Sequence, residues 1–136
     1  MLVQPYLFFD GRCEEALAFY EKAIGAKSRL MRFSESPEGH GPPTIDPANA
    51  QKIMHAHVEV GETAFMASDG ECKGEAHFGG FSLSLTVADA AEAKRSFHAL
   101  AEGGEIVMPL SKTFFSSGFG MLKDRFGVHW MVMSPP

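Results

Sequence analysis

The sequence predicts an α+β domain made of two copies of one unit, strand–helix–strand–strand–strand. Three observations predict it. Each half carries one amphipathic helical stripe closed by glycine. Each stripe follows one short apolar strand and precedes three strand candidates. Two glycine-bearing turns, Gly61-Glu62 and "DRFG" at 124–127, separate strand candidates as hairpin connections do. One helix above a mostly antiparallel sheet, repeated, is the architecture that order implies.

The first strand is "PYLFF", 5–9. The helix over 12–24, "RCEEALAFYEKAI" in its core, sets Cys13, Ala16, Leu17, Tyr20 and Ile24 on one stripe, and Gly25 stops it. Strands follow at 27–35, 53–60 and 63–68. The second copy opens with "FSLSLTV", 81–87. Its helix spans 90–102, with Asp89 as cap, Glu92 three residues on as in a capping box, and Ala93, Phe97 and Leu100 as the stripe. Gly103 and Gly104 end it, and strands follow at 105–108, 114–122 and 128–133. The two modules run from about 1 to 69 and from 80 to 136 within one domain. A proline-rich loop is expected at 36–51 and a linker at 70–80.

Composition narrows the function classes. The 136 residues carry a formal net charge of -5, which offers no electrostatic reason for a nucleic-acid or membrane partner. No apolar run approaches the roughly 20 residues of a membrane span, and the N-terminus lacks the pattern of a signal peptide. Cys13 and Cys72 form no CxxC pair, so two free, inert thiols in a cytoplasmic protein are expected. No glycine-rich loop leads from a strand into a helix, so no nucleotide or S-adenosylmethionine fold is expected.

The stretch "IMHAHVEV", 53–60, poses the chemical question. A strand alternates its faces, so His55, His57 and Glu59 share one, and Met54, Ala56, Val58 and Val60 share the other. Two imidazoles and a carboxylate resemble a metal set. Residues two apart on a strand stand about 6.6 Å apart, however, so one ion is shared only with bent geometry. A polar face turned to a cavity or to solvent accounts for the pattern more simply. It leaves imidazoles free to recognise or deprotonate a ligand.

"PYLFFDGRCEEALAFYEKAIGA", "KIMHAHVEVGETAFMASD" and "FGMLKDRFGVHWMV" resemble the PhnB-like family, also called 3-demethylubiquinone-9 3-methyltransferase-like. That family lies within the glyoxalase, bleomycin-resistance and extradiol dioxygenase (vicinal oxygen chelate) superfamily. The resemblance covers nearly the whole chain. It implies paired βαβββ modules with sheets cupped around a small-molecule cavity, and a homodimer. It also implies metal-ligand positions at Pro5 (with Gln4 beside it), Met66, Ser82 and Met131. None of these is an imidazole or a carboxylate, so no metal or other cofactor is expected.

The expected function is therefore metal-free binding of a small, apolar or partly aromatic ligand. A metal-dependent lyase, isomerase or dioxygenase using His55 or His57 is the alternative, and the methyltransferase label finds no support in the residues. Whether a reaction is catalysed stays open at this level. The candidate cavity residues are His55, His57, Glu59, Ser68, Phe115, Phe119 and Met131. Ser68-Asp69 also reads as turn chemistry, and Trp130, on the face opposite Met131, reads as core.

Overall fold

A computed structural model describes residues 1–36 and 46–136. Much of the proline-rich loop, 37–45, lies outside the described residues. The chain divides into two compact units, Met1–Ala76 and His77–Pro136, and among the described residues each carries one α-helix and one four-stranded sheet.

In the first unit the elements are β1 (Tyr6–Phe8), α1 (Cys13–Ile24), β2 (Lys27–Arg32), β3 (Ile53–Val60) and β4 (Thr63–Ser68). The sheet order is β1-β4-β3-β2, with β1 parallel to β4 and the other pairs antiparallel. Cys13, Ala16, Leu17 and Tyr20 of α1 are buried, while Ile24 is half-buried. They pack on Leu7, Ala56, Val58, Phe65 and Ala67, all buried on one face of the sheet. The Tyr20 ring stands 6.2 Å from Phe9 and 6.3 Å from Phe65, tilted or edge-on as aromatic quadrupoles prefer. The Gly25 and Ala26 amides donate to Glu21 and Tyr20 and close the helix end. The two-residue hairpin loop falls at Gly61-Glu62, with Gly61 at φ +57 where a side chain would be strained.

Two expectations for this unit need correction. The strand expected over 27–35 stops at Arg32, and Phe33–Glu35 turn into a short 3-10 helix. The strict alternation expected over 53–60 breaks at Met54. Met31 pairs with His55 but Arg32 pairs with Ile53, so Met54 is an extra residue in the ladder, a bulge. The bulge moves Ile53, fully buried, into the core position that strict alternation assigns to Met54.

The second unit repeats the order with β5 (Leu83–Thr86), α2 (Ala90–Ala101), β6 (Glu105–Ser111), β7 (Gly118–Lys123) and β8 (His129–Ser134). Its sheet runs β5-β8-β7-β6, again with a single parallel pair, β5 with β8. Ala93, Ser96, Phe97 and Leu100 of α2 are buried. They face Leu122, Trp130 and Val132, also buried. Gly120 allows this close approach, since a Cβ there would lie 2.7 Å from the Phe97 ring. The third strand begins at Gly118 rather than 114; just before it Ser116 is buried, with its hydroxyl within hydrogen-bond distance of the Gly118 and Ser134 carbonyls. "DRFG" is the expected turn: the Gly127 amide donates to the Asp124 carbonyl at 3.0 Å. The buried Asp124 carboxylate accepts from the amides of Phe126 and Val128 and from Trp130 Nε1 at 2.9 Å.

Candidate functional site

The seven cavity candidates fall into two groups, one in each unit. Four belong to the first. His57 pairs across the ladder with Met66, and Met66 pairs with Tyr6. His55, His57 and Glu59 thus share the sheet face turned away from α1 with Tyr6, Phe8 and Met66. His55 and Glu59 are exposed and His57 is half-buried. Ser68 is buried, and its hydroxyl accepts from the Gly70 amide at 3.1 Å, the geometry of a strand-ending turn.

The polar contacts on this face are uneven. Tyr6 Oη lies 3.1 Å from His55 Nδ1, a hydrogen bond in which either atom donates, depending on the imidazole tautomer. His57 Nε2 stands 3.7 Å from Glu59 Oε1, beyond hydrogen-bond length and with both side chains in contact with water. Around the first pair the surface is aromatic and soft. The Tyr6 ring is 4.9 Å from Phe8 and 5.7 Å from the His55 ring. Phe8 is 55% exposed and Met31, across from His55, is 41% exposed. Apolar groups so exposed beside a fixed polar pair make a surface on which a ring can stack and a heteroatom can be read.

Sequence reasoning missed Tyr6 and Phe8. The signal was available: in "PYLFF" the pattern puts Tyr6 and Phe8 opposite Leu7 and Phe9, and Leu7 and Phe9 are the buried pair.

Phe115, Phe119 and Met131 lie in the second unit. Phe119 and Met131 sit on the sheet face away from α2, with Met121 and Met133. The Phe115 ring stands edge-on to Phe119 at 5.2 Å. Trp130 is buried on the other face.

In the ladders Tyr6, next to Pro5, stands opposite Met66, and Ser84, two residues along from Ser82, stands opposite Met131. Phenol, hydroxyl and thioether are poor donors for a divalent transition metal, so these residues do not fit one. Among the described residues, no three His, Cys, Asp or Glu side chains converge as a metal site.

A second polar cluster lies at the start of α1. The buried Asp69 carboxylate accepts from the amides of Gly11 and Cys13 through one oxygen, at 2.7 and 2.8 Å. Its other oxygen accepts from Ile53 at 2.8 Å. Beside it, a cavity of about 170 Å³ is lined by Glu14, Arg32 and Lys52. Arg32 grips Glu14 through its two terminal guanidinium nitrogens, and this hydrogen bonding holds the Glu14 carboxyl below its ordinary range. Burial, with Asp69 and Glu14 nearby, pushes the Cys13 thiol far up. Burial followed by Asp69 and Asp10 raises Cys72 as well. Neither sulfur is activated as a nucleophile.

Two βαβββ units, each with one helix on one face of its sheet, have the fold seen in glyoxalase-related proteins. A glyoxalase-related enzyme from Fulvimarina pelagi shares the fold at 16% identity and a TM-score of 0.56, over 100% of this chain and 88% of that one. The particular family follows from sequence: a profile of the family described as 3-demethylubiquinone-9 3-methyltransferase matches residues 2–133, and the chain belongs to that PhnB-like family. It is 36% identical to Protein YjdN of Escherichia coli K12, over 97% of this chain and 94% of that protein. The crystal structure of protein PA1353 from Pseudomonas aeruginosa matches at 43% identity and a TM-score of 0.86, covering 99% of this chain and 98% of that one. A putative 3-demethylubiquinone-9 3-methyltransferase, PhnB protein, from Bacillus cereus is 28% identical with a TM-score of 0.77, covering 98% and 99%.

Among the described residues no helix is long and apolar enough to cross a membrane.

Proposed function

We propose that the protein binds a small, partly aromatic molecule on the exposed face of the first sheet, without a metal. The observation that carries this reading is the Tyr6–His55 hydrogen bond at 3.1 Å, set beside the exposed Phe8 and Met31. A fixed polar pair orients a heteroatom while the neighbouring rings and thioethers supply apolar contact. The donor set of phenol and thioether at Tyr6 and Met66 supports the metal-free reading. Methyl transfer finds no support in this fold, which has mixed βαβββ sheets and no glycine-rich strand-to-helix loop. We also propose a cytoplasmic homodimer, the assembly that the family resemblance implies.

A thermal-shift screen against metabolites and antibiotics tests it. A hit should lose about tenfold in affinity in Tyr6→Phe or His55→Ala, the cost of roughly one hydrogen bond. His57→Ala should weaken it less, with little change in stability. A hit unaffected by Tyr6→Phe and His55→Ala places the ligand elsewhere. Metal analysis of untagged protein should give far less than one transition metal per chain. Sedimentation should give twice the chain mass, across an interface of about 1,600 Å²; a monomer at micromolar concentration refutes the dimer.

A further inference from the structure

We propose that Tyr6 and His55 form a proton-transfer pair acting on an enolisable aryl carbonyl compound, so that the bound ligand is a substrate for a 1,3-proton shift. The inference rests on the binding reading above and deepens it. It starts from the tautomers of a single hydrogen bond. In one, Nδ1–H donates to Tyr6 Oη, which leaves the phenol proton and the Nε2 lone pair available. In the other, the phenol donates to Nδ1 and Nε2 carries the proton. Among the described residues no partner occupies His55 Nε2, and the side chain is exposed. The two forms therefore differ only in where two protons sit, and both are neutral.

That difference matches one reaction. Nε2 takes a proton from the carbon next to a carbonyl, and the C–H electron pair becomes the new C=C bond. The carbonyl π pair moves to oxygen, which takes the phenol proton of Tyr6. Tyr6 then takes the Nδ1 proton of His55. The substrate leaves as its enol, the pair ends in its second tautomer, and the reverse step regenerates the first. No charge accumulates and no oxidant or metal is consumed, as the donor set of this face requires. The aryl part of the substrate class follows from Phe8, 4.9 Å from the Tyr6 ring, and from Met31 across from His55. His57 and Glu59 do not form such a pair, because 3.7 Å is too long for a shared proton.

The test uses phenylpyruvate in deuterium oxide, with loss of its C3 protons followed by NMR. The full chain should accelerate exchange above buffer. Tyr6→Phe and His55→Gln should each lower the protein-dependent rate by roughly 100-fold. The double variant should fall little further, since the two act as one unit. Both residues are exposed, so urea melts should show all three variants folded. Exchange no faster than buffer, or a wild-type rate in either single variant, overturns the pair. Titration calorimetry with phenylpyruvate separates the claims: binding without exchange overturns proton transfer and leaves the binding reading standing.

Discussion

The two helices have the same length and the same kind of buried stripe, yet they begin in different ways. The start of α2 is closed locally: Asp89 accepts from the Glu92 amide at 2.8 Å, and Glu92 reaches back to Ala88 at 3.4 Å. The start of α1 has no local cap, since Arg12 makes no side-chain capping bond. Its first amide, that of Cys13, is taken instead by Asp69, 56 residues along the chain, which also accepts from the Gly11 amide just before the helix. The same carboxylate holds the first amide of β3, so one buried side chain joins helix, central strand and strand end. A local cap steadies one helix, whereas a distant one ties its helix to the sheet and couples their unfolding.

Removing each cap tests that contrast. Asp69→Ala should cost the most, about 3–5 kcal/mol in urea melts, because three amides lose a charged acceptor and two of these bonds are buried. A loss near 1 kcal/mol would mean that water replaces Asp69 and that the coupling is weak. Asp89→Ala should cost about 1 kcal/mol, the usual value of an N-cap. An equal loss in the two variants would erase the distinction. The smallest effect is chemical. In the native protein Cys13, buried and with its thiol pushed up, should resist a thiol reagent at pH 8, while the partly exposed Cys72 reacts slowly. In Asp69→Ala, Cys13 should react faster as the start of α1 opens. Unchanged protection there would show that packing alone holds that turn.

These two caps also mark what could be read in advance. Asp89-x-x-Glu92 is a short-range signal, as are the glycine at 25, the Gly61-Glu62 hairpin and "DRFG", and the structure has each where the sequence puts it. Both βαβββ units were legible because hydrophobic period and turn residues act over a few positions. Asp69 reads in the sequence only as turn chemistry, since its side-chain partners lie 16 to 58 residues away. The Met54 bulge was invisible for the same reason, because only the pairing with Arg32 reveals the extra residue. The shared face of His55, His57 and Glu59 was legible from alternation. Its meeting with Tyr6 needed the parallel pairing of β1 with β4, which brings residues 49 apart together.

The bulge also sets which changes of length β3 can accept. Loss of Met54 would leave Ile53 inward and His55 outward in an unbroken alternation, so the ladder would only become more regular. Loss of any one residue from 56 to 59 would instead put the two flanks out of phase. Either the histidines would be driven toward α1, or Ile53 would swing out to water. Drift in length among relatives should therefore collect at this position and spare the four residues after His55. An alignment that places a gap inside "AHVE" would be pairing the wrong faces of two strands.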